Sequence, residues 1–307
     1  MHVLVTGSAG FLGRHAARAL AARGDLVTGV DRRPDASAAR GDRRTRHLVE
    51  DLTSPGGRWR AVAAEADAVL HLAARPGVRG AGAELEACRS ADILTAAVEV
   101  LAAAPPEVPV VVASSSAVYG EAPAGRGSRE DDPLRPRGSY GRWKLAVEQA
   151  CAERAGRGGL VSVARPFTVA GPGQRPDMAL SRWLEAVTAG RPVEVLGGLD
   201  RSRDISDVTD VVAGLVALVD DGVRHRRSCT VNLGAGHPRT HAEVLDAVGR
   251  ITGRRVAVRL RPAHPDEVAH TRSDPARARR LLGLDPSTDL DDLVRRQLAA
   301  ATASRAA

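Results

Sequence analysis

Residues 1–31 read MHVLVTGSAGFLGRHAARALAARGDLVTGVD, and this stretch decides the fold. HVLVT at 2–6 is a short apolar, β-branched run of the kind that forms a buried strand. TGSAGFLG, Thr6 to Gly13, follows it directly and opens FLGRHAARALAARG, a helical pattern closed by Gly24. LVTGVD then gives a second strand that ends on Asp31. Glycines at 7, 10 and 13 allow a tight turn, close approach of backbone to a diphosphate at the helix N-terminus, and close helix-to-strand packing. The spacing is GxxGxxG rather than GxGxxG, so a purely structural glycine turn is the competing reading. Asp31, eighteen residues past Gly13, stands where an acidic residue binds adenosine ribose hydroxyls. Each feature supports the other.

The same alternation continues outward. HLVED (47–51) reads as a weak third strand, ADAVLHLAA (66–74) as a fourth, and VPVVVASSS (108–116) as a fifth. A helix is expected from Leu85 to Ala104, stopped by Pro105-Pro106, and another from Tyr140 to Ala155, before LVSVARPF (160–167) as the sixth strand. Strands alternating with helices imply right-handed crossovers, hence an α/β fold with a Rossmann-like, doubly wound parallel sheet. After Gly171 the elements shorten: a helix near Met178–Ala189, strands at PVEVL, CTVNLG and RVAVRL, a helix near Val208–Val219, and a terminal helix. Residues 1–170 therefore read as a dinucleotide-binding domain carrying the catalytic residues. Residues 171–307 read as a smaller C-terminal substrate-binding lobe, interleaved with the sheet.

At 307 residues and 43% hydrophobic the chain can bury a sizeable core, and no run approaches the roughly 18 apolar residues of a membrane span. It starts in a strand-like run, so no signal peptide is expected. Cys88, Cys151 and Cys229 are widely spaced and form no CxxC; His237, His241 and His264 lack ligand spacing. No metal and a reducing, cytoplasmic compartment are expected. The net charge of +7 and the basic run DRRPDASAARGDRRTR (31–46) raise a nucleic-acid reading, but aromatics at 2% are too few for stacking platforms. A positive field is equally suited to an anionic small molecule.

Of the 44 Lys and Arg residues one is lysine, Lys144, and it stands four after Tyr140 in YGRWK. Positions i and i+4 are helical neighbours. An ammonium there lowers the phenol's pKa so that it serves as a base near neutral pH, a task a rigid guanidinium performs poorly. The bland alternative is a surface lysine on a helix.

TGSAGFLG, Asp31, the DL of EDLTS, HLAA (71–74), SSSAVYG (114–120), YGRWK, RPFTVAGPGQRPDMAL (165–180) and RSRDISDVTDVV (201–212) agree in order and spacing with one family. Over nearly its whole length the chain resembles the extended short-chain dehydrogenase/reductases, in particular their nucleotide-sugar epimerases and dehydratases. The resemblance implies tightly held NAD, Tyr140 as base, Lys144 on the nicotinamide ribose, and Ser115 as a hydroxyl sharing the substrate proton. It places Gly7, Gly10, Phe11, Leu12, Gly13, Asp31, Asp51, Leu52, Leu72, Ala73 and Ala74, with Tyr140 and Lys144, around the cofactor. Asp31 favours NAD; Arg32 and Arg33 beside it leave NADP as the alternative. A homodimer through the two long helices is also implied.

Relatives that remove water carry an acidic pair where this chain has Ser116 and Ala117, and decarboxylating relatives typically carry a glutamate at Ala117. What remains is epimerisation at carbon 4. RPFTVAGPGQRPDMAL is similar to the same segment of UDP-glucuronate 4-epimerases, where Thr168 and Arg175 match the positions holding the sugar carboxylate, with Ser116 as a further donor. Ala170 departs from the tyrosine usual in the family. Arg203 matches an arginine on the nucleotide diphosphate, and Arg272 is a second candidate for the phosphates. The alternatives are a UDP-glucose or UDP-galactose 4-epimerase, a UDP-glucuronate decarboxylase, or a non-catalytic nucleotide sensor or scaffold. Intact Ser115, Tyr140 and Lys144 argue against the last.

Overall fold

Along HVLVT the side chains of Val3 and Val5 enter one apolar layer and that of Leu4 the other, and the fold is built outward from that alternation. The computed structural model describes residues 1–34, 44–74 and 83–306, the side chains of 83–91 and 304–306 excepted. β1 (His2–Thr6), α1 (Phe11–Ala22), β2 (Leu26–Asp31) and β3 (Thr45–Val49) are followed by α2 (Trp59–Glu65), β4 (Ala68–His71) and α3 (Ala83–Ala103). β5 (Val110–Ala113), α4 (Gly138–Gly156) and β6 (Val161–Pro166) complete the first run. Then come β7 (Thr168–Ala170), α5 (Ala179–Thr188), β8 (Val193–Leu196), β9 (Ser202–Asp207), α6 (Val208–His225) and β10 (Thr230–Leu233). β11 (Pro238–Thr240), α7 (His241–Thr252), β12 (Val258–Arg261), α8 (Ala276–Leu282) and α9 (Leu290–Ala306) end the chain.

Seven strands form one parallel sheet in the order β10-β6-β5-β4-β1-β2-β3. Leu4, Val30, Val69, Val110 and Val163 pack beneath α2, α3 and α4, with Trp59 fully enclosed among them. Val3, Val5, Leu70, Val111 and Val231 pack beneath α1 and α6. The sheet is thus covered on both faces, as strands with continuous apolar runs require. Strand order reverses between β1 and β4, and in such sheets ligands bind in the crevice at the carboxyl ends there. The carboxyl ends of β1 and β4 flank it.

β10 pairs with β6 from Thr230↔Val163 to Leu233↔Pro166, so a late strand closes the main sheet. α5, β8, α7 and α9 surround a separate apolar cluster of Leu180, Trp183, Val193, Val195, Val248 and Leu293. β7 and β11 flank β9, while β8 pairs with β12.

Several elements differ from the sequence expectations. β3 starts at Thr45 rather than His47 because its ladder with β2 runs from Val27↔Thr45. The helix expected to end near Val219 runs to His225, with Asp220 and Asp221 paired to Arg23 and Arg227. RSRDISD, a motif in sequence, is strand β9. The centre of the basic run (35–43) and the Cys88 side chain lie outside the described residues. Among the described residues no helix is long and apolar enough to cross a membrane.

Candidate active site

The glycine loop turns because Gly7 adopts φ +71° and sits against the chain after β4. A Cβ there would lie 2.7 Å from the Ala73 Cα. One at Gly13 would stand 2.0 Å from the Gly7 carbonyl oxygen. Gly7 N–H donates to Val30 O at 2.7 Å, tying the loop to β2. α1 therefore begins at Gly10 with no side-chain cap and no acidic residue in its first turn. Arg14 and His15 of that turn bond the Gly173 and Pro172 carbonyl oxygens at 3.2 and 2.9 Å, drawing the loop after β7 over it.

Asp31, at the end of β2, accepts from Ala9 N at 3.2 Å and Arg33 N at 3.0 Å, next to the glycine loop. Arg32 turns away to Asp51 at 2.8 Å and reaches Asp92 at 3.5 Å. Asp51 also caps Thr53, Leu52 is buried, and Leu72 to Ala74 run along the glycine loop after β4.

Across the crevice, α4 presents Tyr140, Lys144 and Glu148 at four-residue spacing, on one face. Ser115 caps the 3-10 turn Ser116–Val118, and its hydroxyl meets that of Tyr140. Burial pushes the Tyr140 pKa up from its ordinary value, while the Ser115 bond and the nearby Arg175 charge pull it part-way back. Here the sequence expectation needs correcting. Lys144 is not among the groups that pull the phenol down, and its ammonium donates to Ala113 O at 2.7 Å. Burial takes Lys144 itself down to about 8, against the pull of Cys151 and Glu148. His71, buried beside it and bonded to Thr6 Oγ1 at 2.8 Å, is driven to about 3 by burial and by the Lys144 charge.

Thr168 lies half-buried on β7, and the loop after it carries Arg175, whose guanidinium is gripped by Asp177 at 2.9 and 2.7 Å. Ser116 stands next to Ser115, half-buried. Arg203, expected on the nucleotide diphosphate, is bonded within the protein. Its guanidinium bonds Glu267 at 3.0 Å and the backbone oxygens of Ser202, Val268 and Ala269, each at 2.9 Å. In this structure it clamps the segment before Arg272 rather than facing the crevice with open donors. Glu121 holds the same segment through Ala269 N at 2.8 Å and His270 N at 2.6 Å. Arg272 donates to Gly236 O at 3.2 Å.

Sequence reading passed over His71, Glu148 and Glu267. Glu148 was detectable, since it continues the Tyr140–Lys144 spacing by one more turn. His71 opens the HLAA run with no role read for it and Glu267 carries no local pattern; only the sheet and the clamp bring them to the site.

The sequence profile of the NAD dependent epimerase/dehydratase family matches residues 3–234. The chain belongs to that family. The uncharacterized UDP-glucose epimerase YtcB of Bacillus subtilis (strain 168) is 30% identical over 327 residues, 97% of either chain. Among solved structures, MoeE5 in complex with UDP-glucuronic acid and NAD matches with a TM-score of 0.87 at 35% identity, over 99% of this chain and 100% of its own. MoeE5 in complex with UDP-glucose and NAD gives 0.89 with the same identity and coverage. UDP-glucuronic acid 4-epimerase from Bacillus cereus, in complex with UDP-glucuronic acid and NAD, gives 0.88 at 26% identity over the same shares.

As a member of the NAD dependent epimerase/dehydratase family the chain needs a cradle for a dinucleotide, and the residues present fit one. Free N–H groups at the start of α1 suit a diphosphate, and the space that Cβ atoms at Gly7 and Gly13 would fill lets backbones close up beneath it. Asp31 is a hydrogen-bond acceptor at the ribose position. Arg32 is paired with Asp51, and the Asp31 carboxylate at the ribose position supports NAD over NADP.

Proposed function

We propose that the protein epimerises carbon 4 of UDP-glucuronate, interconverting it with UDP-galacturonate. NAD held by the glycine loop and Asp31 would supply reversible hydride acceptance at carbon 4. Tyr140, as the phenolate, takes the proton of the 4-hydroxyl, and Ser115, bonded to Tyr140, holds the sugar oxygen on line. Lys144 orients the nicotinamide ribose. Ser116 and Ala117 supply neither the acid for dehydration nor the glutamate for decarboxylation.

The observation that carries the uronate reading is Arg175, close enough to Tyr140 for its charge to act on the phenol. A carboxylate leaving water requires a cation or several donors, and a guanidinium fork matches it in two bonds. Thr168 and Ser116 complete the grip. Arg272 is assigned to the nucleotide diphosphate, together with Arg203 once phosphate replaces Glu267. The names of the solved relatives support this substrate. A second reading, a neutral UDP-hexose, is favoured by Asp177, which satisfies Arg175 without any substrate carboxylate.

The same proposal assigns residues 1–170 to NAD and 171–307 to the nucleotide sugar. It places the protein in the cytoplasm as a homodimer joined through α3 and α4, where Val98 is 43% exposed. Sedimentation at twice the chain mass of 32.1 kDa checks the dimer. For the activity, purified protein is incubated separately with UDP-glucuronate, UDP-glucose and UDP-xylose and followed by NMR. UDP-galacturonate is expected from the first. Net NADH or carbon dioxide release would overturn the epimerase reading.

A further inference from the structure

Glu148 is a buried carboxylate that the chemistry above leaves unused. Its side chain is 9% exposed and that of its partner Arg165 6%. Arg165, on β6, donates to Glu148 from Nε at 2.9 Å and Nη2 at 2.6 Å, and the Ser114 hydroxyl donates to the same carboxylate. Arg165 Nη1 goes on to the Tyr119 hydroxyl at 2.8 Å, which donates to Asn232 Oδ1 on β10 at 2.7 Å. Satisfied on every side, the pair is rigid; unpaired buried charges are strongly unfavourable.

What this rigidity holds is the end of β5. Lys144 grips Ala113 by its carbonyl, and Glu148, one turn later on α4, grips Ser114 by its hydroxyl. The next residue in the chain is Ser115, whose hydroxyl meets Tyr140 at the start of α4. Three successive residues of one strand end are thus registered against three successive turns of one helix. We propose that Glu148 is a positioning residue of the active site: by holding Ser114 and Arg165 it sets the end of β5 against α4 so that Ser115 meets Tyr140. The inference rests on the reading of Ser115, Tyr140 and Lys144 as the catalytic group.

The same carboxylate faces Lys144. The other groups that bear on the ammonium are the Cys151 thiol of α4, neutral because burial pushes it up to about 12, the neutral His71 of β4 and the Ala113 carbonyl of β5. Glu148 is the carboxylate among them, and it favours the charged lysine. Arg165 lies beyond it and is paired with it. Removing the carboxylate's charge therefore moves loss of the Lys144 proton to lower pH.

The test uses Ser114→Ala, Glu148→Gln and Tyr140→Phe beside the wild type, each loaded with NAD and assayed with UDP-glucuronate and UDP-glucose. Ser114→Ala leaves the ion pair whole, so it keeps the fold if Glu148→Gln does not. The expected result is a kcat lower by on the order of 10–100-fold in both Ser114→Ala and Glu148→Gln, with KM little changed. In Glu148→Gln the alkaline limb of the kcat profile also shifts to lower pH. Wild-type kcat in Ser114→Ala, or a folded Glu148→Gln whose alkaline limb stays in place, overturns the proposal. Turnover by Tyr140→Phe would instead sink the catalytic reading beneath it.

Discussion

Asp177 holds both arms of the Arg175 guanidinium, Nε at 2.9 Å and Nη2 at 2.7 Å, so the fork offered to a substrate carboxylate is engaged by one of the protein's own. Side chains of both are well exposed, 37% and 50%, and such pairs are worth about 0.2–1 kcal/mol. A substrate carboxylate displaces Asp177 at small expense, while a neutral sugar leaves the pair closed. Asp177→Asn is expected to lower KM for UDP-glucuronate by roughly two- to fivefold and leave UDP-glucose unchanged. Steady-state kinetics on both sugars checks it; an equal change in both would show that the pair serves the loop alone.

Arg175→Ala should weaken UDP-glucuronate binding by about 1.5–3 kcal/mol, the range for a hydrogen bond to a charged group. Oxidation at carbon 4 makes a β-keto acid, which loses carbon dioxide readily when its carboxylate aligns with the carbonyl π system. A carboxylate no longer held by its oxygens rotates freely, so some UDP-4-keto-pentose is expected from this variant by NMR. Equal weakening of UDP-glucose would move Arg175 to the diphosphate or the fold.

Lys144→Arg keeps the charge but not the compact ammonium that reaches Ala113 O, and a misplacement of about 1 Å costs on the order of 100-fold in rate. In the wild type the ammonium is lost as pH rises past about 8, so kcat should fall above that pH. A profile flat to pH 10, or near-wild-type turnover in the arginine variant, contradicts the role.

His71 sets a stability slope in acid. Its folded pKa is about 3 against an ordinary 6.5. Above pH 6.5 both folded and unfolded chains carry neutral imidazole, and nothing is at stake. Between about 6.5 and about 3 the unfolded chain takes up a proton that the buried ring refuses, so stability falls as pH falls. His71→Asn, which retains a partner for Thr6, should flatten the dependence of the urea midpoint on pH across that window. An unchanged slope would assign the acid sensitivity to other groups.

The sheet, the glycine loop and the Tyr140–Lys144 pair on α4 were legible because each follows from local periodicity: HVLVT before GxxGxxG, and Tyr140 four before Lys144. β7, β9 and β11 were not, since RSRDISD has no alternation of its own and becomes a strand through pairing with Thr168–Ala170 and Pro238–Thr240. Lys144 was found by its rarity, yet its bond to Ala113 O depends on how α4 lies against β5, which spacing along one helix does not contain. Arg203 was legible as a motif and not as a clamp, because Glu267 lies sixty-four residues away in sequence.

The central claim is that carbon 4 is oxidised and then reduced by the same hydride. UDP-glucuronate carrying deuterium at carbon 4 tests it most directly, with wild-type protein holding its own NAD in ordinary water and mass and NMR analysis of the product. The account predicts UDP-galacturonate with the deuterium retained at carbon 4, and none formed by Tyr140→Phe. Product with hydrogen at carbon 4, or deuterium released to solvent, would contradict it.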